Sequence, residues 1–505
     1  MKLLPCGDTG LLVEVAGLAE VHGLTAAIRE AGFDRVLDVV PAARTVLLVV
    51  EPGVDLDALG RAVGGLEFTA GDAPERETVE IGVVYDGPDL AEVGELTGLG
   101  ADGVVEAHTG TPWRVGFVGF APGFAYLGDG DERLDVARRD EPRTSVPPGS
   151  VGLAGGYSAV YPRSSPGGWQ LIGRTDAVLW DETRDPPALL QPGAWVRFVR
   201  VPETEISPGS GEPADRQRDP TEGGLEVLAT GALAVVQDLG RPGHAASGVG
   251  RSGAADRAAL TLANRLVANP EDAAGVEVVF GGLAVRARRR MTVAMAGAPA
   301  AADVDGTPVG HHALVELHAG QVLRLGQPPV GLRTYLAVRG GIDVPAVLGS
   351  RSTDVLSRVG PPVLDEGDVL PIGEEPSDLP LIDVAPVGLP PGGTVALRAR
   401  LGPRADWVED PGALAETEWT VSSRSDRVGV RLEGEPLRRR DSAEIASEGM
   451  VTGAVQVPPG GEPVLFMADH PVTGGYPVVA VVLDADIDKA AQLRPGQKIR
   501  FELVR

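Results

Sequence analysis

Apolar positions near the N-terminus alternate between strand and helix spacing. Leu11 to Val15 is a short apolar run that predicts a strand, and Val21, Leu24 and Ile28 then recur on one helical face. The runs Val36 to Val40 and Val46 to Val50 predict two further strands, with a second short helix from about Asp55. This order predicts a ferredoxin-like α/β subdomain over residues 1–76. From Thr78 to about Val201 the pattern becomes short valine-rich runs between Gly/Pro turns, a β-rich unit over 77–202. A second β-rich half starts near Leu225 and divides into 225–390 and 391–505. It carries one helix, about Asp256 to Ala268, with an apolar stripe of Ala259, Leu260, Ala263, Leu266 and Val267. Asp256 is its N-cap and Pro270 its stop.

Between the halves, residues 203–224 are polar, charged and nearly devoid of apolar side chains, which reads as a linker. At 505 residues the chain exceeds one hydrophobic core. Its apolar runs are too short to span a membrane, and Asp8 and Glu14 stand where a signal peptide needs an apolar stretch. The single cysteine, Cys6, excludes an internal disulfide and a cysteine-cluster metal site. These features predict a cytoplasmic protein. A net charge of −26 argues against nucleic acid or an anionic membrane as partner. Only Lys2, Lys489 and Lys498 are lysines among 45 basic residues, so anions would be held by arginine forks. No phosphate loop ending in Gly-Lys-Ser/Thr and no Gly-x-Ser-x-Gly elbow is present.

Four fragments recur in the same order. Arg114-Val-Gly-Phe117 is echoed by Arg427-Val-Gly-Val430, and Val146-Pro-Pro-Gly149 by Val457-Pro-Pro-Gly460, 32 and 30 residues downstream. Gly155-Gly-Tyr157 is echoed by Gly474-Gly-Tyr476, and Leu190 to Phe198 by Leu493 to Phe501. A looser copy of the last element, Leu317 to Leu325, hints at a further related sheet. The pattern predicts two or three homologous barrel-like units.

The glycine-dense stretch Gly116 to Leu127 is either a loop whose N–H groups face an oxyanion, walled by Phe and Tyr, or a tightly packed barrel corner. Downstream loops add Arg143, Ser145, Gln170, Arg174 and Thr175. In the second half, Gln237, Asp238 and Arg241 follow a strand. Gly349 to Asp354, Ser425 to Gly429, Asp469 and Thr473 to Pro477 place hydroxyls and carboxylates beside arginines. Each is ordinary turn chemistry by itself; together they suit an anionic ligand. His311, His312 and His318 are a weak zinc signal, and His108 is either an acid–base group or a structural histidine.

The stretch from Arg114 through Glu141-Pro-Arg-Thr-Ser-Val-Pro-Pro-Gly149 to Gly167-Gly-Trp-Gln-Leu-Ile-Gly-Arg-Thr175 resembles the allophanate hydrolase subunit 1 family, which includes the B subunit of 5-oxoprolinase and a sporulation-kinase inhibitor. The stretches Val235 to Gly243, Ala254 to Pro270, Leu348 to Thr353, Ser425 to Gly434 and Gly453 to Pro477 resemble the subunit 2 family, which includes the C subunit of 5-oxoprolinase and the inhibitor's antagonist. The resemblance implies a mainly β fold with an α/β N-terminal subdomain and repeated cyclophilin-like β-barrels. It implies an ATP-dependent 5-oxoprolinase component that phosphorylates the lactam of 5-oxo-L-proline for opening to L-glutamate. ATP and Mg²⁺ would be its cofactors, and the separate 5-oxoprolinase A subunit, of the lactam-utilisation family, its partner. Self-association into a homo-oligomer stays open.

Carried over from the matching motifs, the catalytic candidates are Asp238, Arg241, Asp426 and Arg427. The substrate or nucleotide contacts are Gly119, Pro122, Gly123, Arg143, Gln170, Arg174, Gln237, Arg351, Gln456 and Asp469, with no metal-ligating side chain. Two alternatives share the architecture. One is the carboxyltransferase part of a biotin-dependent urea amidolyase, although this chain has no Met-Lys-Met motif for covalent biotin. The other is a non-catalytic histidine-kinase regulator, which fusion of an inhibitor with its antagonist disfavours. The interface between the halves is the expected place for the active site.

Overall fold

A computed structural model describes residues 1–71, 78–206, 224–441 and 443–504. Of the segment read as a linker, 207–223 lies outside the described residues, and Glu203–Glu205 forms one 3₁₀ turn.

The N-terminal elements form where the apolar periodicity places them. Strands Gly10–Glu14, Val36–Pro41 and Thr45–Val50 alternate with helices Leu18–Ala31 and Leu56–Gly64, and Asp55 caps the second helix by accepting from the amides of Asp57 and Ala58. One strand escapes the periodicity: Lys2–Cys6, a short edge strand carrying Pro5. It pairs antiparallel with Gly10–Glu14 and completes a four-stranded sheet. In a ferredoxin-like layer the fourth strand follows the second helix. Here it comes from the N-terminus instead, so the layer has a permuted edge.

Both faces of this sheet are buried. Leu11, Val13, Val46 and Leu48 face the two helices, while Leu12, Val40 and Leu47 pack on Met450, Val451, Phe466, Val472 and Val481 of the second half. Separating the halves would expose those three side chains at roughly 1.5–3 kcal/mol each. The halves are therefore docked as well as tethered. Asp38 adds polar stitches, accepting from the amides of Gly243 (3.0 Å) and Ala245 (3.0 Å), and Glu14 pairs with Arg404 at 2.9 Å.

The two barrels follow one plan. The first sheet runs in the order Gln170–Arg174, Ser150–Ala154, Tyr157–Val160, Ala125–Gly128, Trp113–Val118, Trp195–Arg200, Thr78–Val83. Its edges meet through paired hydrogen bonds of 2.9 Å between Val84 and Arg174, so the barrel is nearly closed. The second barrel is closed, and its order is Val478–Val482, Ala454–Gln456, Val464–Phe466, Gly429–Glu433, Trp419–Val421, Lys498–Leu503, Val395–Leu401. In each, the last strand pairs parallel with the first and antiparallel with the second.

Trp113 and Trp419 hold the same place in each plan. Each is buried, and each indole N–H donates to the carbonyl five residues earlier, His108 at 3.0 Å and Leu414 at 2.9 Å. Each also faces a glycine that cannot accept a side chain. A Cβ on Gly130 or Gly434 would lie 2.5 or 2.7 Å from the indole.

This register corrects three of the four sequence echoes. Arg114 to Phe117 lies in the second strand of its barrel, whereas Arg427 precedes Gly429–Glu433, the counterpart of Ala125–Gly128. Val146 to Gly149 leads into Ser150–Ala154, whereas Val457 to Gly460 follows the equivalent strand Ala454–Gln456. Gly155 to Tyr157 joins two strands whose counterparts lie before Gly474. The second and third echoes are Gly-rich turns, which recur wherever a barrel needs one, and the first matches a strand with the entry to a non-equivalent strand. The fourth echo is a true equivalence: Gly193 and Gly496 adopt φ of 88° and 80° in the turns before the closing strands.

Leu317 to Leu325 shares that turn, with Gly320 at φ 87°, but not the barrel. The middle region consists of a six-stranded and a five-stranded sheet, wholly antiparallel, which enclose one core that includes Leu225, Val276, Val285, Met295 and Leu336. The helix read between Asp256 and Ala268 spans Arg257–Leu266, and Asp256 caps it by accepting from the Ala259 amide. Among the described residues there are two barrels, not three.

Candidate functional site

Two structurally equivalent loops face one another between the barrels. Gly167-Gly-Trp169 precedes the strand Gln170–Arg174, and Gly474-Gly-Tyr476 precedes its counterpart Val478–Val482. They line a cleft of about 660 Å³, its open mouth included, with Phe124, Tyr126, Tyr161, Arg138, Glu444 and Thr473 among the other walls.

The aromatic wall is rigid. Phe124 packs edge-to-face on Tyr126 (5.1 Å), Tyr161 (5.2 Å) and Trp169 (5.6 Å). Burial pushes the phenols of Tyr126 and Tyr161 up to about 12, so both keep their O–H at neutral pH. Arg138 and Glu444, one from each half and each about half-exposed, pair at 3.0 Å. Gly167 is required, because a Cβ there would lie 2.3 Å from the Tyr161 hydroxyl. The arrangement suits a small, flat, polar ligand: broad ring faces, phenolic donors and one arginine fork.

The glycine-dense hairpin that reaches this cleft is a packed corner. The Gly119 amide donates to Phe124 O, Ala121 to Gly119 O, Gly123 to Ser247 O and Phe124 to Ala121 O. Phe120, at φ 63°, donates its amide to Thr473 Oγ1 of the second barrel at 3.2 Å. Pro122 has no N–H. The backbone donors that could have cradled an oxyanion are taken up within the protein.

The other first-half candidates serve similar ends. Arg143 pairs with buried Asp89 at 2.6 Å, which Arg139 also reaches at 3.0 Å. Arg174 pairs with Asp86 and Glu203 at 2.9 and 2.7 Å. Gln170 is buried and donates to Ala137 O at 3.4 Å. Ser145 meets Ser164 across an exposed ribbon. His108 is a structural histidine, held between Tyr85 (2.7 Å) and Ser158 (2.8 Å), and burial drives it down to about 3.

In the second half, four candidates meet at the loop 350–355. Asp238 accepts from Ser350 Oγ (2.6 Å), the Arg351 amide (2.6 Å), the Gly240 amide (2.8 Å) and Ser352 Oγ. Buried Arg241 donates to the carbonyl of Ser352. Gln237 donates to Thr353 O at 2.8 Å, and Arg351 pairs with Asp343 at 2.6 Å. Ser252 links this loop to the next network, donating to Asp469 at 2.7 Å. Asp469 is forked by Arg427 at 2.9 and 2.9 Å, and Arg427 also reaches Glu277 at 2.6 Å. Asp426 stands apart: it is exposed and caps a turn through the amides of Val428 and Gly429. Gln456 lies behind the cleft wall, donating to Tyr476 O at 3.0 Å.

None of the fourteen residues selected from the sequence lines the inter-barrel cleft; Gly119 and Gln456 support it from behind. Sequence reasoning missed Arg138, Glu444, Ser447, Tyr161 and Trp169; Tyr476 stood in the Thr473 to Pro477 motif but was not among the selected residues. A signal for two of these was present, since Trp169 and Tyr476 end equivalent Gly-Gly-aromatic loops. His311, His312 and His318 do not combine, for among the described residues no group of three or more His, Cys, Asp or Glu could hold a metal.

Asp354, beside Asp469, gives the second-half network a measurable titration. Burial and the Asp469 carboxylate push Asp354 up to about 7. A raised carboxyl means the folded chain binds a proton that the unfolded chain has already released. This group therefore subtracts stability as pH rises from about 4 to about 7, and the deficit persists above that. Asp354→Asn is expected to gain stability relative to the parent between about pH 5 and pH 8, read from urea unfolding at both. An unchanged difference between the two pH values would contradict the assignment.

Comparisons with known proteins match both halves. Residues 1–190 match the model for carboxyltransferase domain, subdomain C and D, and residues 247–503 that for subdomain A and B. The chain is 38% identical over 282 residues to the C subunit of 5-oxoprolinase from Escherichia coli (strain K12), covering 55% of this chain and 90% of that protein. It is 48% identical over 158 residues to the B subunit of 5-oxoprolinase from Escherichia coli O157:H7, covering 31% and 72%. The crystal structure of TTHA0988 superposes with a TM-score of 0.87 at 33% identity, covering 98% of this chain and 99% of that one. The urea amidolyase of K. lactis matches 57% of this chain at 30% identity and TM-score 0.52, but only 19% of its own length. The chain thus belongs to the carboxyltransferase-domain family, as a single polypeptide that fuses the counterparts of the B and C subunits of 5-oxoprolinase.

Proposed function

We propose that the chain is the fused B/C component of an ATP-dependent 5-oxoprolinase and that the inter-barrel cleft binds the lactam. The observation that carries this reading is the pairing itself. Each half resembles a different component of 5-oxoprolinase, and the cleft takes one Gly-Gly-aromatic loop from each. An unstrained lactam is a poor electrophile. Attack of its oxygen on the γ-phosphorus of ATP forms an O–P bond, releases ADP and leaves a carbon that water can add to. Water addition and cleavage of the ring C–N bond, which frees the amine, give γ-glutamyl phosphate, and a second water hydrolyses this acyl phosphate to L-glutamate and phosphate, with the separate lactam-utilisation partner opening the ring.

This chain's own contribution is positioning and charge. The aromatic wall holds the ring flat, and Arg138, released from Glu444, faces an anionic group. Mg²⁺ would travel on the nucleotide phosphates, which suits its preference for few protein ligands. Among the described residues no helix is long and apolar enough to cross a membrane.

Purified chain mixed with the lactam-utilisation partner should hydrolyse ATP only when 5-oxo-L-proline is present. Gly475→Phe, at a lining position where an added Cβ meets only Ile445 O at 3.5 Å, should fold yet lose that activity. Absence of 5-oxoproline-dependent hydrolysis in the parent sinks the proposal. Co-purification of a biotinylated protein, detected with streptavidin, would favour carboxyl transfer instead.

A further inference from the structure

A second cleft lies where the N-terminal sheet, the loop 245–257 and the second barrel meet, and it shares no lining residue with the inter-barrel cleft. Its walls are aliphatic: Val40, Val49, Met450, Val451, Val472 and Ile487. Four charged side chains line it, and three have partners. Arg257 pairs with Asp484 at 2.8 Å, and Asp38 accepts two backbone amides. Arg251 differs. Its Nε donates to the Leu239 carbonyl at 3.2 Å, and among the described residues no carboxylate lies within 4 Å of its guanidinium. Burial and the neighbouring Arg257 cation hold it below the ordinary arginine range, with Asp484, Asp38 and Glu51 acting from farther away. A half-buried arginine with an unfilled fork in a mostly aliphatic cleft is what a carboxylate satisfies.

His470 supplies the complementary group. Its Nδ1 lies 2.8 Å from the Pro471 carbonyl, an acceptor, so Nδ1 carries the proton. Burial lowers its pKa, so the ring is neutral and Nε2 presents a lone pair to an N–H or O–H donor. We infer that this cleft is a second small-molecule site, for an aliphatic carboxylic acid bearing a hydrogen-bond donor beside its carboxylate. The carboxylate meets Arg251, the donor meets His470 Nε2, and the branched tail lies on the valine and methionine wall. The inference stands independently of the lactam reading, since it uses other residues and another cleft.

Isothermal titration of the full chain with L-2-hydroxyisocaproate tests it. Saturable binding is expected, weakened about fivefold to tenfold for isocaproate, which lacks the hydroxyl. It should be weakened about tenfold or more for 4-methylpentan-1-ol, which lacks the carboxylate, and likewise for Arg251→Gln. Arg251→Lys should recover part of the affinity, and Gly475→Phe in the other cleft should leave it unchanged. No saturable binding to the parent, equal affinity for the acid and the alcohol, or loss of binding in Gly475→Phe overturns the assignment. Should Arg251→Gln fail to fold, the ligand series on the parent chain still decides.

Discussion

Arg427→Met is expected to destabilise the second half by about 3–5 kcal/mol, because it strips two buried carboxylates of their shared counterion. Arg427 is 1% exposed, and it satisfies Asp469, Glu277 and the Gly253 carbonyl at once. Glu277 is fully buried and accepts further from Arg333 Nε (3.2 Å), the Ala255 amide (3.0 Å) and Tyr335 Oη (2.7 Å). Burial by itself would raise the Glu277 carboxyl, but Arg427 and Arg333 outweigh it and hold the group at about 2. A depressed carboxyl adds stability that is fully present above the unfolded value near 4.5 and is lost as pH falls toward 2. The parent should therefore lose stability steeply in that window, and Arg427→Met should lose most of the dependence. Calorimetric melts of both chains across pH check this. Adding Glu277→Gln and Asp469→Asn to Arg427→Met should restore part of the loss, since the penalty lies in the stranded charges. Equal melting temperatures for parent and Arg427→Met would refute the account.

The network explains why the motif residues drew notice in the sequence. Arginines beside aspartates and hydroxyls on Gly-rich loops look the same whether they await an anion or hold two sheets together. The deciding quantity is which atoms already have partners, and that depends on tertiary placement. Asp238 has four donors and Asp469 is forked by Arg427, facts no local spacing contains. The fold was more legible. Strand and helix periodicity placed the N-terminal elements and the Asp256 cap, because those signals are local. Lys2–Cys6 was not legible, being a short edge strand with a proline. The duplication was visible but its register was not. Pro-Gly turns recur for local reasons, while the true equivalents, Trp113 and Trp419, are marked by an indole hydrogen bond visible only in three dimensions. Once that register is set, Gly167-Gly-Trp169 and Gly474-Gly-Tyr476 align, and the cleft between them becomes the natural candidate.

On the proposed 5-oxoprolinase reading, Gly119→Ala should reduce 5-oxoproline-dependent ATP hydrolysis by about a hundredfold, the scale of a misplacement near 1 Å. Gly119 does not line the cleft but sets the distance between its walls. A Cβ at this position would lie 2.2 Å from Thr473 Oγ1 and 2.8 Å from Thr473 Cγ2, on the ribbon that leads into Gly474-Gly-Tyr476. No rotation of Thr473 removes the clash entirely, since its Cβ would itself lie at 3.0 Å. The barrels must separate, and the Phe120 amide would lose its bond to Thr473 Oγ1. The clash belongs to one pair, so it can be relieved on the other side. Thr473→Gly in the Gly119→Ala background removes the obstructing atoms and should return most of the activity, although neither barrel regains the bond. A purely local effect on the hairpin predicts no such rescue, and additive losses in the double variant would defeat the argument. Thr473→Gly by itself should cost far less than Gly119→Ala, because it leaves the spacing of the two loops intact.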